Sequence, residues 1–123
     1  MSKNKRRLLV VDDNIDFADI VVTAAEARGF EVRVAGNGRR ATELCRSFIP
    51  DTVVLDIVMP DMDGMEFMDW LAKNGYEPQL IVISGYSRYT DLAKKMAGLK
   101  GLTLAAVLPK PVRLPLLVAA LDA

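Results

Sequence analysis

A chain of 123 residues, 51% apolar and 26% charged, is long enough to bury a sizeable core and too apolar to stay disordered. Lysine plus arginine and aspartate plus glutamate balance at 16 each, so no bulk field draws the molecule to nucleic acid or to an anionic membrane, and neither is expected as a partner. The absence of histidine and the single cysteine, Cys45, exclude disulfides, thiolate zinc sites and nucleophiles built on a Ser-His or Cys-His pair.

In chain order, residues 1–6, with Lys3, Lys5 and Arg6, read as a basic N-terminal arm ahead of a first strand, "LLVV" at 8–11. Ile15, Ala18, Val22 and Ala25 then recur at helical spacing, and Gly29 stands where a C-terminal cap belongs. After a second strand, "VRVA" at 32–35, a helix from Gly38 to Phe48 turns Ala41, Leu44, Cys45 and Phe48 inward and is closed by Pro50. A third strand, "VVLD" at 53–56, runs into a turn over Pro60 to Gly64. The helix that follows starts at Asp63, has Glu66 placed as in a capping box, and points Met65, Met68 and Leu71 inward. "LIVI" at 80–83, a helix over Ser87–Leu99, "LAAVL" at 104–108 and a short helix from Leu114, with Pro115 tolerated in its first turn, complete the pattern. No apolar stretch approaches the roughly 18 residues that span a bilayer, and the polar start is no signal peptide, so a cytoplasmic location is the default.

Five near-continuous apolar strands alternating with helices imply a parallel sheet covered on both faces, with right-handed crossovers and one domain over residues 1–123. The fold class is α/β, a flavodoxin-like (βα)5 doubly wound sheet of order 2-1-3-4-5, whose ligand crevice opens at the carboxyl ends of the first and third strands. Those ends are polar: the first strand stops at Asp12 and Asp13, the third at Asp56, the fourth at Ser84 and Gly85, and the fifth at Lys110 and Pro111. Only the second, at the sheet edge, ends in Ala35 and Gly36.

Each of these residues has an ordinary reading. Asp13 or Asn14 caps a helix, Asp56 is a loop acid, Ser84 with Gly85 makes a turn, and Lys110 is solvated. Taken singly those readings suffice; together they leave unexplained why every strand away from the edge ends on a converging polar group. Three adjacent carboxylates repel unless a cation intervenes, and an all-oxygen set suits magnesium. An Asp beside magnesium and a lysine is equipped to accept a phosphoryl group as an aspartyl phosphate, with no histidine needed as base.

"LLVVDDN", "VVLDIVMPDMDG", "VISGY" and "LPKP", in that order, resemble the receiver domain of two-component response regulators over essentially the whole chain. The resemblance implies that Asp56 accepts a phosphoryl group from a sensor histidine kinase or histidine phosphotransfer protein. It implies Mg2+ held by Asp12, Asp13, Asp56 and the backbone carbonyl of Val58, with Lys110 and Ser84 contacting the phosphoryl group. The output would be a repacked face of helix four, strand five and helix five that meets a downstream domain or protein, with homodimerisation left open. Such a domain is a signalling switch and not a turnover enzyme.

Two departures from the family pattern stand out. Val107 occupies the place of the usual switch aromatic, for which Tyr86 or Tyr89 is a candidate replacement. The segment between Ser84 and Lys110 is a few residues longer than usual and reads as an extended helix four plus a loop, "MAGLKGLTL". The chain stops one short helix after Lys110, which suits either a stand-alone receiver or a piece of a longer protein. Two alternatives carry weight: a constitutive docking module with a non-switching receiver fold, and a haloacid-dehalogenase-like phosphatase. That phosphatase family places its nucleophile after the first strand, not the third.

Overall fold

The apolar runs form five parallel strands, β1 (Arg7–Val11), β2 (Glu31–Ala35), β3 (Thr52–Asp56), β4 (Gln79–Ser84) and β5 (Thr103–Pro109), in the order β2-β1-β3-β4-β5. The structure is a computed structural model and describes residues 5–58 and 63–123; Lys3 of the basic arm and Pro60 of the turn lie outside the described residues. Helices α1 (Ile15–Glu26), α2 (Gly38–Phe48), α3 (Gly64–Lys73), α4 (Ser87–Lys100) and α5 (Leu114–Asp122) connect and follow the strands. This is the flavodoxin-like order that the alternation of elements implied.

The sheet is buried on both faces, which is why its central strands read as unbroken apolar runs. Alternate residues serve opposite layers. Leu9, Val11, Val53 and Leu55 pack with Phe67, Met68 and Leu71 beneath α2, α3 and α4, while Leu8, Val10, Val54, Ile81 and Ile83 pack with Val21 and Leu117 beneath α1 and α5. Cys45 belongs to the first layer, where burial pushes its thiol up to about 12.

Three helices begin on side-chain caps. Asn14, Asn37 and Asp63 each accept a hydrogen bond from the backbone N–H three residues on, satisfying a donor that the first turn leaves free. Asp63 therefore precedes α3 as its cap and is not its first helical residue. At the end of α1, Gly29 takes φ +86 while its N–H bonds Glu26 and the Phe30 N–H bonds Ala25, a closure that favours a residue lacking Cβ.

The inward face of α1 is rotated from the expected one: Ala18, Val21 and Ala25 are buried, whereas Ile15 is exposed and Val22 half-buried. Ile15 stands at the first helical position, where the chain is still leaving β1 and the face has not yet turned onto the sheet. In α3, Met68 and Leu71 are buried as expected, Met65 is half-buried, and the largest fully buried side chain is Phe67. The extended helix expected over Ser87–Leu99 is present and runs one residue further: α4 ends at Lys100, Gly101 turns at φ +72, and β5 starts at Thr103. Lys100, on the last turn, reaches Asp69 of α3 at 2.7 Å, and Lys73 meets the same carboxylate at 2.9 Å. Those hydrogen bonds, the Lys100 one foremost, hold the Asp69 carboxyl below its ordinary value.

Because Phe67 is wholly enclosed between α3 and the sheet, Phe67→Ala should cost about 3–5 kcal/mol of folding free energy. Urea unfolding is expected to show that loss as a lower midpoint with an unchanged slope.

Candidate functional site

Register brings the acids together. Val11 lies opposite Leu55 across the β1–β3 ladder, so the next residues, Asp12 and Asp56, leave the sheet side by side. Asp12 is 4% exposed and Asp56 2%, while Asp13 faces solvent, and carboxylate oxygens of all three lie within 4.8 Å of one another. The structure thus gathers Asp12, Asp13 and Asp56 as the sequence led one to expect.

Each buried acid is held by the backbone of the loop that follows it. The Asn14 N–H donates to Asp12 Oδ1 at 2.8 Å, and the Val58 N–H donates to Asp56 Oδ1 at 3.2 Å. From the end of β5, Lys110 Nζ reaches Asp56 Oδ2 at 3.1 Å, the one long-range side-chain hydrogen bond to this carboxylate among the described residues. Its own backbone N–H is tied to the Ser84 carbonyl at 3.2 Å, which fixes the base of the lysine to the end of β4.

Ser84 is buried beside this group but gives its hydroxyl to the Tyr86 carbonyl at 2.9 Å and accepts the Tyr86 N–H at 3.2 Å. The same carbonyl accepts the Thr90 N–H at the start of α4, so the serine is bound into the helix entrance and not to Asp56. Tyr86 is 64% exposed and stands edge-on to Tyr89, ring centres 5.7 Å apart. Val107, by contrast, is half-buried against the α4-side core. An open cleft joins Asp13, Asn14, Asp56, Val58, Gly85, Tyr86, Lys110 and Pro111.

Gly64 is a site residue that the sequence reading used only to end a turn. A Cβ there would sit 2.6 Å from the Asp56 carbonyl oxygen and 2.7 Å from the Ile57 Cα, backbone atoms of the last residue of β3 and of the one after it. The Gly64 N–H bonds the Ile57 carbonyl at 2.9 Å, drawing the start of α3 against the end of β3. Nothing in local sequence spacing signals this close approach; it arises from how α3 returns to the sheet.

With all groups ionised, Asp12, Asp13 and Asp56 outweigh Lys110 in charge. Burial pushes the Asp12 carboxyl up from 3.8 to about 6; the neighbouring Asp56 and Asp13 charges add to that rise, and the Asn14 hydrogen bond and Lys110 oppose it. An all-oxygen donor set carrying excess negative charge fits a hard divalent cation such as magnesium and offers nothing to metals that seek thiolate or imidazole.

The family model described as response regulator receiver domain matches residues 8–122. A response regulator receiver protein of Anaeromyxobacter sp. (strain Fw109-5) is 38% identical over 110 residues, which is 89% of this chain and 44% of that protein. The response regulator MprA of Mycolicibacterium vanbaalenii is 33% identical over 117 residues, 95% of this chain and 49% of that one. The chain therefore spans about half or less of the length of these curated relatives. Among solved structures, the receiver domain of the Francisella response regulator 1452 matches with a TM-score of 0.79 at 27% identity, covering 96% of this chain and 94% of that one.

Two outcomes follow from the geometry. Gly64→Ala should push the β3–α3 junction apart and lower the melting temperature by several degrees, with Asp56 and Val58 amides shifting most in NMR spectra. Since Asp12 binds its proton more tightly folded than unfolded, its contribution to stability is full below about 3.8 and lost as pH rises through about 6. Metal-free protein should thus melt at a lower temperature at pH 7.5 than at pH 5, and Asp12→Asn should flatten that difference; added magnesium should stabilise the wild type more at pH 7.5 than at pH 5.

Proposed function

The chain belongs to the response regulator receiver domain family, and from that premise we propose that it is a single receiver domain over residues 1–123 that accepts a phosphoryl group on Asp56. Receiver domains are signalling domains, and they partner with histidine kinases and output domains. The donor proposed here is a sensor histidine kinase or a histidine phosphotransfer protein in the cytoplasm. The observation that carries the reading is the Lys110 ammonium 3.1 Å from Asp56, next to the Asp12 and Asp13 carboxylates.

In the proposed transfer, an Asp56 carboxylate oxygen bonds to phosphorus in line with the departing imidazole nitrogen of the donor, which leaves with its electron pair and takes up a proton. Asp12, Asp13, Asp56 and the backbone carbonyl of Val58 are the residues assigned to Mg2+. When bound, the metal supplies positive charge for the equatorial phosphoryl oxygens. Lys110 would do the same by moving from the Asp56 carboxylate to a phosphoryl oxygen, while its backbone N–H stays tied to the Ser84 carbonyl.

Ser84 is assigned as the reporter. To donate to a phosphoryl oxygen its hydroxyl must release the Tyr86 carbonyl, which also receives the Thr90 N–H in the first turn of α4. The incoming phosphoryl group is thereby linked to the α4 entrance, and through it to the face of α4, β5 and α5 proposed for output. Half-buried Val107 has no aromatic ring to swing, so the β4–α4 junction with Tyr86 and Tyr89 is left to carry the signal. The family membership and the position of the acid after β3 set aside the haloacid-dehalogenase alternative.

Incubation with acetyl phosphate and magnesium should add one phosphoryl group to the intact mass of the wild type and none to Asp56→Ala. Lys110→Ala should accept it more slowly, on the order of 100-fold, as expected for removal of one preorganised cation from a charged transition state. Equal addition to Asp56→Ala would overturn the assignment.

A further inference from the structure

The outward face of α4 has a composition that the chain shows nowhere else on its helices. Ala93 and Ala97 face the core. At 100° per residue, Arg88, Leu92, Lys95 and Leu99 fall together roughly on the opposite side, at successive spacings of four, three and four. All four are exposed, and Leu99, at 86%, is the most exposed large apolar side chain among the described residues. The helix holds four cations, Arg88, Lys94, Lys95 and Lys100, against the single acid Asp91.

Three of these four cations make no ion pair among the described residues. Arg7, Arg28, Arg33, Arg40, Lys73, Lys100 and Lys110 each form an ion pair, whereas Arg88, Lys94 and Lys95 form none among the described residues. In a chain whose formal charge is zero, α4 therefore displays unpaired positive charge interleaved with Leu99, 86% exposed, and Leu92, 47% exposed. Singly exposed leucines are ordinary; two on one helical stripe, alternating with unpaired cations, form a pattern with a complement.

We propose that this face of α4 docks an amphipathic helix of a partner protein whose apolar residues alternate with aspartate or glutamate. The inference rests on the reading of α4 as part of the output face and names the chemistry of what binds there. Leucines would fill the gaps around Leu92 and Leu99, and acids at the neighbouring turns would meet Arg88 and Lys95. A second copy of the chain is a poor occupant, because two such stripes laid together oppose cation to cation. An anionic membrane is also disfavoured: two leucines make a narrow apolar strip, and the domain behind α4 prevents the helix from sinking into the interface.

The test is a titration of the full chain with a labelled synthetic helix of leucine and glutamate at four-residue spacing, against a leucine and lysine counterpart and against phosphatidylserine vesicles. The acidic helix should bind, shift the amides of α4, and weaken as ionic strength rises. Lys95→Glu with Leu99→Ser should reduce its affinity about tenfold or more, with an unchanged melting profile. Equal binding of the lysine peptide, an unshifted α4, stronger retention on vesicles than on the peptide, or a dimer that the double variant abolishes would each overturn the proposal. Phosphoryl addition to the same double variant, read by intact mass, separates the two readings: acceptance without docking removes only this inference, and no acceptance by the wild type removes the site assignment.

Discussion

Like charge crowded at the carboxyl edge of a parallel sheet is the constraint around which this molecule is arranged. Asp12 and Asp56 adjoin because β1 and β3 pair in a register that ends both strands at one level, and their mutual repulsion is added to the penalty of burial. What keeps such an arrangement folded is everything around it: backbone N–H groups of Asn14 and Val58 aimed at the carboxylates, a lysine delivered by β5, and a sheet whose apolar faces are enclosed by five helices. The core supplies stability, and the edge uses part of it to hold a cluster of like charges in place.

Much of this was legible in the chain because the relevant signals are local and periodic. Strand ends at Val11, Asp56 and Ser84 follow from where apolar runs stop, and caps such as Asp63 follow from residue type and spacing. The convergence of Asp12, Asp13, Asp56 and Lys110 followed from topology once the strand order was inferred. What escaped was what depends on three-dimensional approach. The burial of Phe67, the rotation that leaves Ile15 in solvent, and the contact of Gly64 with the Asp56 backbone are decided by how each helix settles on the sheet. The long segment after Ser84 was legible as an extended helix, and its end at Lys100, one residue past the expected Leu99, is set by Gly101 in the left-handed region.

The two ends of α4 are anchored differently. Its C-terminal turn is held to α3 by an ion pair between Lys100 and Asp69, whereas its N-terminal turn has no side-chain cap and hangs on the Tyr86 carbonyl that Ser84 also binds. A helix tied to α3 at one end and held at the other through one carbonyl, to which the Ser84 and Thr90 hydroxyls both donate, is suited to pivot and ill suited to translate. Under the proposed function, that asymmetry would give the acid cluster a route to the exposed stripe of Arg88, Leu92, Lys95 and Leu99 that does not call on residue 107.

The lone thiol has a practical side. Cys45 is enclosed in the α2 layer and burial disfavours its ionisation, which leaves it almost entirely protonated at neutral pH, so it is a sluggish nucleophile towards alkylating reagents. A cysteine introduced on the surface becomes the only readily modified thiol in the folded chain. The protein thus comes with a silent chemical background, and dyes or spin labels can be attached at chosen points along α4 to follow its tilt directly.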